Sequence, residues 1–263
     1  MELNLYQIDA FTDTPFKGNP AAVIPLETWL PDNTMQSIAE ENNLSETAFF
    51  VPKDKGFHIR WFTPKTEVDL CGHATLAAAY VLFNILEYSN DKIEFESKSG
   101  VLSVLQKDDW LVIDLPVQTP TPCDIPDKIV KAFDKTPIEC LRSDDYIVVF
   151  ETESDILSIE PDIEYLKKLD LRGVIITAKS GQYDFVSRFF APKYGIDEDP
   201  VTGSAHTQLI PYWARKLDKT KMKAKQVSSR GGELICELRS DRVMISGKAV
   251  KFLEGKIGLN RLP

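Results

Sequence analysis

The chain has 263 residues, of which 43% are hydrophobic and 27% charged, and its formal net charge is −9. That balance is globular, in one large or two moderate domains. An acidic chain with no basic stripe and interleaved aromatics excludes nucleic acid as an expected partner, and leaves any anionic ligand to be captured locally rather than by long-range attraction. The longest uncharged run, residues 70–86, contains Gly72, His73, Thr75 and Asn84, and no apolar run reaches the ~18 residues of a membrane helix. The opening MELNLYQIDAF has no basic region followed by an apolar one, so no signal or transit peptide is expected and a cytoplasmic protein is the default.

In chain order, NLYQIDAF reads as a strand, and TPFKGNPAAVIP as a turn followed by a second short strand. PDNTMQSIAEENN reads as a helix with Met35, Ile38 and Ala39 on its inner side. SETAFFV and FHIRWFT have the aromatic and β-branched content of strands. PKTEVDLCGHATLAAAYVLFNIL is a turn leading into a helix that is apolar on nearly every face, a pattern that belongs inside a protein. Strands follow at KIEFES, GVLSVLQ and WLVIDLP. PVQTPTPCDIP, residues 116–126, has four prolines and reads as a linker. Beyond it come a helix at DKIVKAF, strands at DYIVVF and GVIITA, a helix at DIEYLKKL, and a strand at FVSRFFAP. A second helix follows in GIDEDPVTGSAHTQLIPYWARKL, and then strands at KQVSSR, GELICEL and RVMISGKAVKFLEGKI.

Two of these stretches resemble each other. Arg60, Pro64 and Lys65 match Arg188, Pro192 and Lys193 at an offset of 128, and Gly72 matches Gly203 at 131. His73 then faces Ser204, and Ala74 faces Ala205. The repeat predicts two related domains, divided near residues 118 and 119, with the strand after Lys248 able to cross back to the first. A pair of this kind can build one ligand site in the cleft between its halves.

The chemistry expected at such a site is local. A helix N-terminus offers N–H groups without intrahelical partners and a partial positive charge. Gly72 and Gly203 would let backbone approach a carboxylate or an enolate-like oxyanion, and either could take a positive φ. The alternative is that both are merely tight helix starts. His73 can move protons near neutrality, whereas His206 and His58 read as structural. Asp199, held extended by Pro200, would orient His73, touch the ligand, or stand as a solvated loop acid. Ser204 would donate a hydrogen bond or cap its helix. Glu46, ahead of a phenylalanine-rich strand, is a candidate acid–base group if desolvated, and otherwise an exposed strand residue. Cys71, Cys123, Cys140 and Cys236 show no zinc-type spacing and no disulfide framework, so no metal is expected.

FKGNPAAV, LSETAFF, TEVDLCGHATLAAA and DPVTGSAH together resemble the phenazine-biosynthesis isomerase-like (PhzF-like) family, over nearly the whole chain. The resemblance implies an α+β, diaminopimelate-epimerase-like fold: two pseudo-symmetric domains, each a β-barrel-like sheet wrapped around a central helix. It implies cofactor-independent proton chemistry on a small, anionic substrate, and a homodimer. Carried over by motif, Glu46 is the acid–base group, with His73, Asp199 and Ser204 as the other catalytic positions. Asn19, Gly72, Ala74, Thr75, Gly203 and Ala205 are implied to bind substrate. Related epimerases and proline racemases use two cysteines. Here Cys71 stands at one of those places, while the second turn offers Pro200 and Val201. Single-carboxylate isomerisation is therefore the leading expectation. A Cys71-dependent epimerase or racemase and a non-catalytic binding relative are the alternatives.

Overall fold

The structure, a computed structural model, describes residues 1–259. Its chain runs β1 (Glu2–Ala10), β2 (Asn19–Pro25), α1 (Asp32–Asn42), β3 (Glu46–Pro52), β4 (Phe57–Phe62), β5 (Glu67–Val68), α2 (Gly72–Asn84), β6 (Lys92–Ser97), β7 (Gly100–Lys107) and β8 (Trp110–Pro116). It continues with β9 (Thr121–Pro122), α3 (Asp127–Phe133), β10 (Glu139–Arg142), β11 (Tyr146–Val149), α4 (Glu153–Ser158), α5 (Ile163–Leu166), β12 (Val174–Lys179), β13 (Phe185–Ala191) and β14 (Ile196–Asp199). It ends with α6 (Gly203–Leu217), β15 (Lys221–Gln226), β16 (Gly232–Arg239), β17 (Arg242–Gly247) and β18 (Ala249–Gly258). Two compact units divide between Asp114 and Leu115 and again between Ile245 and Ser246, so β18 belongs to the first unit.

In the first unit the strands pair in the order β18–β1–β2–β3–β4–β6–β7–β8, with β5 on β4. The sheet curls because it must cover α2. Eleven of that helix's 13 residues are buried, and β1, β2, β3, β7 and β18 all pack on it. Ala77, Ala78 and Ala79 are fully buried, and their small side chains let strands approach the helix axis on several sides at once. A second cluster, including Ile24, Met35, Ile38, Phe49 and Phe62, seats α1 outside the sheet.

The second unit repeats this plan in the order β9–β10–β11–β12–β13–β15–β16, with β14 on β13. The parallel pairs recur in the same places, β2 with β3 and β4 with β6 in one unit, β11 with β12 and β13 with β15 in the other. Its central helix is α6, whose Trp213 stacks on Phe185 at 5.6 Å and donates its indole N–H to Thr177 Oγ1 at 3.0 Å. Pro211 lies inside α6 and cannot donate to the Thr207 carbonyl four residues back. The Gln118 N–H supplies that bond instead, at 3.2 Å.

The internal repeat extends to a partly buried ion pair that the sequence comparison did not single out. Arg60 binds Glu67 through Nε and Nη2 at 2.7 and 2.9 Å, beneath the Phe62 ring. Arg188 binds Glu198 in the same bidentate way at 2.7 and 3.0 Å, beneath the Phe190 ring. The third guanidinium edge ties down an outer helix in each case. Arg60 reaches Asp32 at the start of α1, and Arg188 reaches the Ile156 and Ile159 carbonyls of α4 and the residue after it.

Several readings of the sequence change. Residues 116–126 are not a free linker. Val117 donates to the Asp241 carbonyl at 3.0 Å and Cys123 to the Cys140 carbonyl at 3.0 Å, and β9 pairs with β10. The strand expected at KQVSSR lies earlier, because Ser228 and Gly231, at φ +69°, turn the chain there. DIEYLKKL keeps only the short helix α5, capped by Asp162. The last expected strand is two, β17 and β18. β5, β10, α4 and β14 are too short for hydrophobic periodicity to show.

Glu67 provides a test of the repeated ion pair. Hydrogen bonding to Arg60 holds its carboxyl down at about 2, so its contribution is complete above the ordinary carboxylate value of 4.5 and is lost as pH falls toward 2. Glu67→Gln should lower unfolding stability by about 2 kcal/mol at pH 7, the scale of a charge-assisted hydrogen bond. That difference from wild type should shrink through the acid window. Urea unfolding at pH 7 and at pH 3 checks it.

Candidate active site

β2 and β3 run parallel with Ala21 opposite Glu46, so Asn19 and Glu46, the first residues of their strands, start side by side. α2 delivers His73 one residue inside its N-terminus. His73 Nε2 lies 3.2 Å from Glu46 Oε2, and both side chains are almost wholly enclosed. On the other side of the ring, Nδ1 faces Asn19 Nδ2 at 3.2 Å and Cys71 Sγ at 3.5 Å. The Asn19 amide group donates there, which places the proton of a neutral ring on Nε2, toward the carboxylate. Burial alone would pull the imidazole down. Cys71 and Glu46 outweigh it and raise its pKa well above 6.5. Glu46 is the effective partner at neutral pH, because burial, reinforced by Glu46, pushes the Cys71 thiol itself up to about 11. Asn19 resists a second ring proton on Nδ1, whereas Cys71 and Glu46 favour the charged ring.

The pair is close but off-line. Glu46 Oε2 and His73 Nε2 are at ion-pair distance, yet neither has a hydrogen-bond partner among the described residues. Buried polar atoms are seldom left so. Here the two belong to adjacent groups able to exchange protons, which is the arrangement of a site that receives a further polar group.

The neighbouring positions have more local tasks. Thr75 is fully buried and its hydroxyl donates to the Cys71 carbonyl at 2.6 Å, tightening the first turn of α2. The Ala74 methyl is buried, so that residue can offer a ligand only backbone. Gly72 and Gly203 open their helices without a positive φ. No side chain caps α2 or α6. Glu46, Cys71 and His73 each present a metal-type ligand atom within 4.8 Å of the others. A zinc-like ion there would take Cys71 as thiolate, a form the ion itself would favour.

In the second unit Asp199 is buried at the end of β14 and accepts a hydrogen bond from Thr202 Oγ1. The fully buried Gln226 fixes this turn from three sides. It donates to the Asp199 carbonyl at 2.7 Å and to Thr202 Oγ1 at 3.1 Å, and accepts from the Thr202 N–H at 2.9 Å. Ser204 does not cap α6. Thr202 occupies the cap position, and Ser204 Oγ instead accepts from Arg172 at 3.1 Å. The Ala205 methyl is buried. His206 is fully buried, donates through Nδ1 to the Thr202 carbonyl at 2.8 Å, and is pushed down to about 4 by burial. It is a neutral structural residue. Burial also lowers His58, which stands edge-on to Trp29. Thr202, Gln226 and Arg172 escaped the sequence reading: Arg172 precedes the repeated stretch, Gln226 follows it, and Thr202 stands inside it opposite the unlike Cys71.

A family model described as phenazine biosynthesis-like protein matches residues 8–255. An uncharacterized isomerase of Pseudomonas aeruginosa is 52% identical over 259 residues, spanning 98% of this chain and all of the relative. The chain belongs to the phenazine biosynthesis-like (PhzC-PhzF) family. A crystal structure of a PhzF-family protein from Enterococcus faecalis superposes with a TM-score of 0.97 at 47% identity, covering 98% of this chain and 100% of that one. A predicted epimerase of P. aeruginosa, with a TM-score of 0.76 at 21% identity over 97% and 99% of the two chains, shares the fold. The PhzF and epimerase-like fold expected from the motifs is thus the fold of this chain, and its likenesses support an isomerase. Among the described residues no helix is long and apolar enough to cross a membrane.

The thiol of Cys71 in this PhzF-family chain should behave as a protonated, enclosed group. Alkylation by iodoacetamide should be slow at pH 7, with the rate rising about tenfold per pH unit up to pH 9, as thiolate chemistry below the pKa requires. Peptide mass spectrometry at Cys71 measures it.

Proposed function

We propose that this PhzF-family protein is a cofactor-independent isomerase of a small, carboxylated, unsaturated metabolite, and that Glu46 takes a proton from one carbon and returns it at another. The observation that carries this reading is the buried Glu46–His73 contact, in which both facing atoms lack hydrogen-bond partners. A carboxylate shielded from water is a stronger base toward carbon than a hydrated one, and a second titratable group beside it can relay or stabilise the proton it has taken. Asn19 sets the ring orientation from the far side. Gly72 and Ala74 would contribute first-turn backbone N–H groups of α2 to a developing oxyanion, with Thr75 holding that turn. In the second unit, Asp199 and Ser204 are assigned catalytic roles by motif, and Gly203 and Ala205 the matching backbone role. A homodimer in the cytoplasm completes the proposal; light scattering at twice the 29.7 kDa chain mass is its check.

The Cys71-dependent alternative has one point in its favour, the 3.5 Å approach of Sγ to His73 Nδ1. The raised thiol pKa weighs against it. So does the second turn, which has Pro200 and Val201 where a partner cysteine would stand. With Glu46 as the single acid–base group, transfer along one face of a molecule is better suited than inversion.

The test follows deuterium uptake from heavy water into a pool of small unsaturated and hydroxylated carboxylic acids. Glu46→Gln keeps shape and removes the titratable group, so it should lower exchange at least ~10³-fold, the scale of a general base, with the fold unchanged by circular dichroism. A fully active Gln variant sinks the mechanism. Cys71→Ser should stay within about threefold of wild type, and its near-total inactivation would favour the thiolate reading. Dialysis against a chelator should leave exchange unchanged. Its loss, restored by zinc, would assign the Glu46–Cys71–His73 cluster to a metal instead.

A further inference from the structure

The second unit holds a charged cluster to which the proposed chemistry gives no part. Arg172, two residues before β12, donates from Nε to Asp145 Oδ1 at 2.9 Å and from Nη2 to Asp145 Oδ2. Asp145 is fully buried. Gln208 of α6 donates to its Oδ2 at 2.7 Å and accepts from its N–H at 3.2 Å. The guanidinium also lies over the Phe189 ring at 5.4 Å. Its second Nη2 proton goes to Ser204 Oγ at 3.1 Å. The Nη1 group makes no hydrogen bond to the described residues, and the Arg172 side chain is 35% exposed. One edge of the cation is thus fixed and neutralised, and the other is open.

Strand pairing shows what this cluster stands in for. Asn19 and Glu46 lie at the leading ends of the parallel pair β2–β3, and His73 of α2 meets Glu46. Asp145 and Arg172 lie just before the leading ends of the matching pair β11–β12, and Ser204, the repeat partner of His73, meets Arg172. The same three-element junction carries a carboxylate and an imidazole in one unit and a guanidinium and a hydroxyl in the other. The first can move protons. The second cannot at any ordinary pH, but it matches a planar anion, with two N–H donors on Nη1 and a serine hydroxyl that accepts from Arg172 and keeps its own proton to donate.

We infer that Arg172 is a ligand-recognition residue, whose open Nη1 edge, with Ser204 Oγ, binds a carboxylate group of the ligand. The inference rests on the isomerase reading only in taking that ligand to be the substrate. It also gives an acidic chain a local, directional pair of N–H donors for an anionic molecule, on a guanidinium whose other edge Asp145 already balances.

The test uses the full-length protein and three probes, crotonate, sorbate and benzoate, each beside its primary amide, in thermal-shift and calorimetric titrations. At least one carboxylate should stabilise wild type, as ligands of the folded state do, and its amide should not. Arg172→Gln should weaken that carboxylate at least tenfold, and Arg172→Lys should fall between. Because Arg172→Gln leaves Asp145 buried without its partner, the double variant Asp145→Asn/Arg172→Gln serves as the folded control and should show the same loss. Glu46→Gln should lose deuterium exchange while still preferring the carboxylate over its amide, which separates failure of proton transfer from failure of recognition. Carboxylate affinity unchanged in Arg172→Gln or in the double variant, or no preference for any carboxylate over its amide in wild type, overturns the assignment.

Discussion

Each unit depends on the burial of one central helix, 11 of 13 residues in α2 and 10 of 15 in α6. A helix with no charged residue, such as α2, can be satisfied only by apolar surface on all sides, and a single sheet provides that surface only by curling around it. Curling brings the leading ends of the parallel strands to the rim where the helix begins. The side chains proposed to be functional therefore sit on the first residues of strands and in the first turn of the helix, where the backbone is already rigid. Glu46, Asn19 and His73 meet for this reason, although 54 residues separate Asn19 from His73.

The enclosure also sets the chemistry. A histidine beside a carboxylate in water would be a weak surface pair. Inside the rim the same contact raises the imidazole, while burial drives the neighbouring thiol toward its protonated form. Two candidate reactive groups adjacent in space, though not in sequence, are thereby sorted by environment. Glu46 holds the position facing His73 Nε2, and Cys71 becomes a packed thiol on the Nδ1 side of the ring.

Much of this was legible in the sequence because the signals were periodic or local. The apolar run after Gly72 announced a buried helix, the alternating aromatics around Phe49 and Trp61 announced strands, and the repeated Arg and Gly positions announced a duplicated plan. What escaped were interactions made at long range by residues with no pattern of their own. Gln226 looks like any polar strand residue, yet it is fully buried and holds the Asp199 turn. Gln118 lies in a proline-rich stretch that reads as a spacer, yet its N–H replaces the donor missing at Pro211. Glu67 and Glu198 were present in both copies, but two acids among many carry no signal until Arg60 and Arg188 are seen to bind them. Side-chain directions at helix starts were also out of reach. Thr75 turns back to its own helix, and Ser204 turns to Arg172.

Duplication explains how one scaffold can hold two opposite chemistries. The Arg60–Glu67 and Arg188–Glu198 pairs are the same device in both units, and each fastens an outer helix to its sheet. They are constrained by the fold, so they match. The rim positions carry no such brace, so they are free to differ. A carboxylate and an imidazole stand at one rim and a guanidinium locked to a buried aspartate at the other, and neither disturbs the helix that the sheet encloses. On the proposed reading, divergence at the rim with identity at the brace separates the demands of function from those of folding.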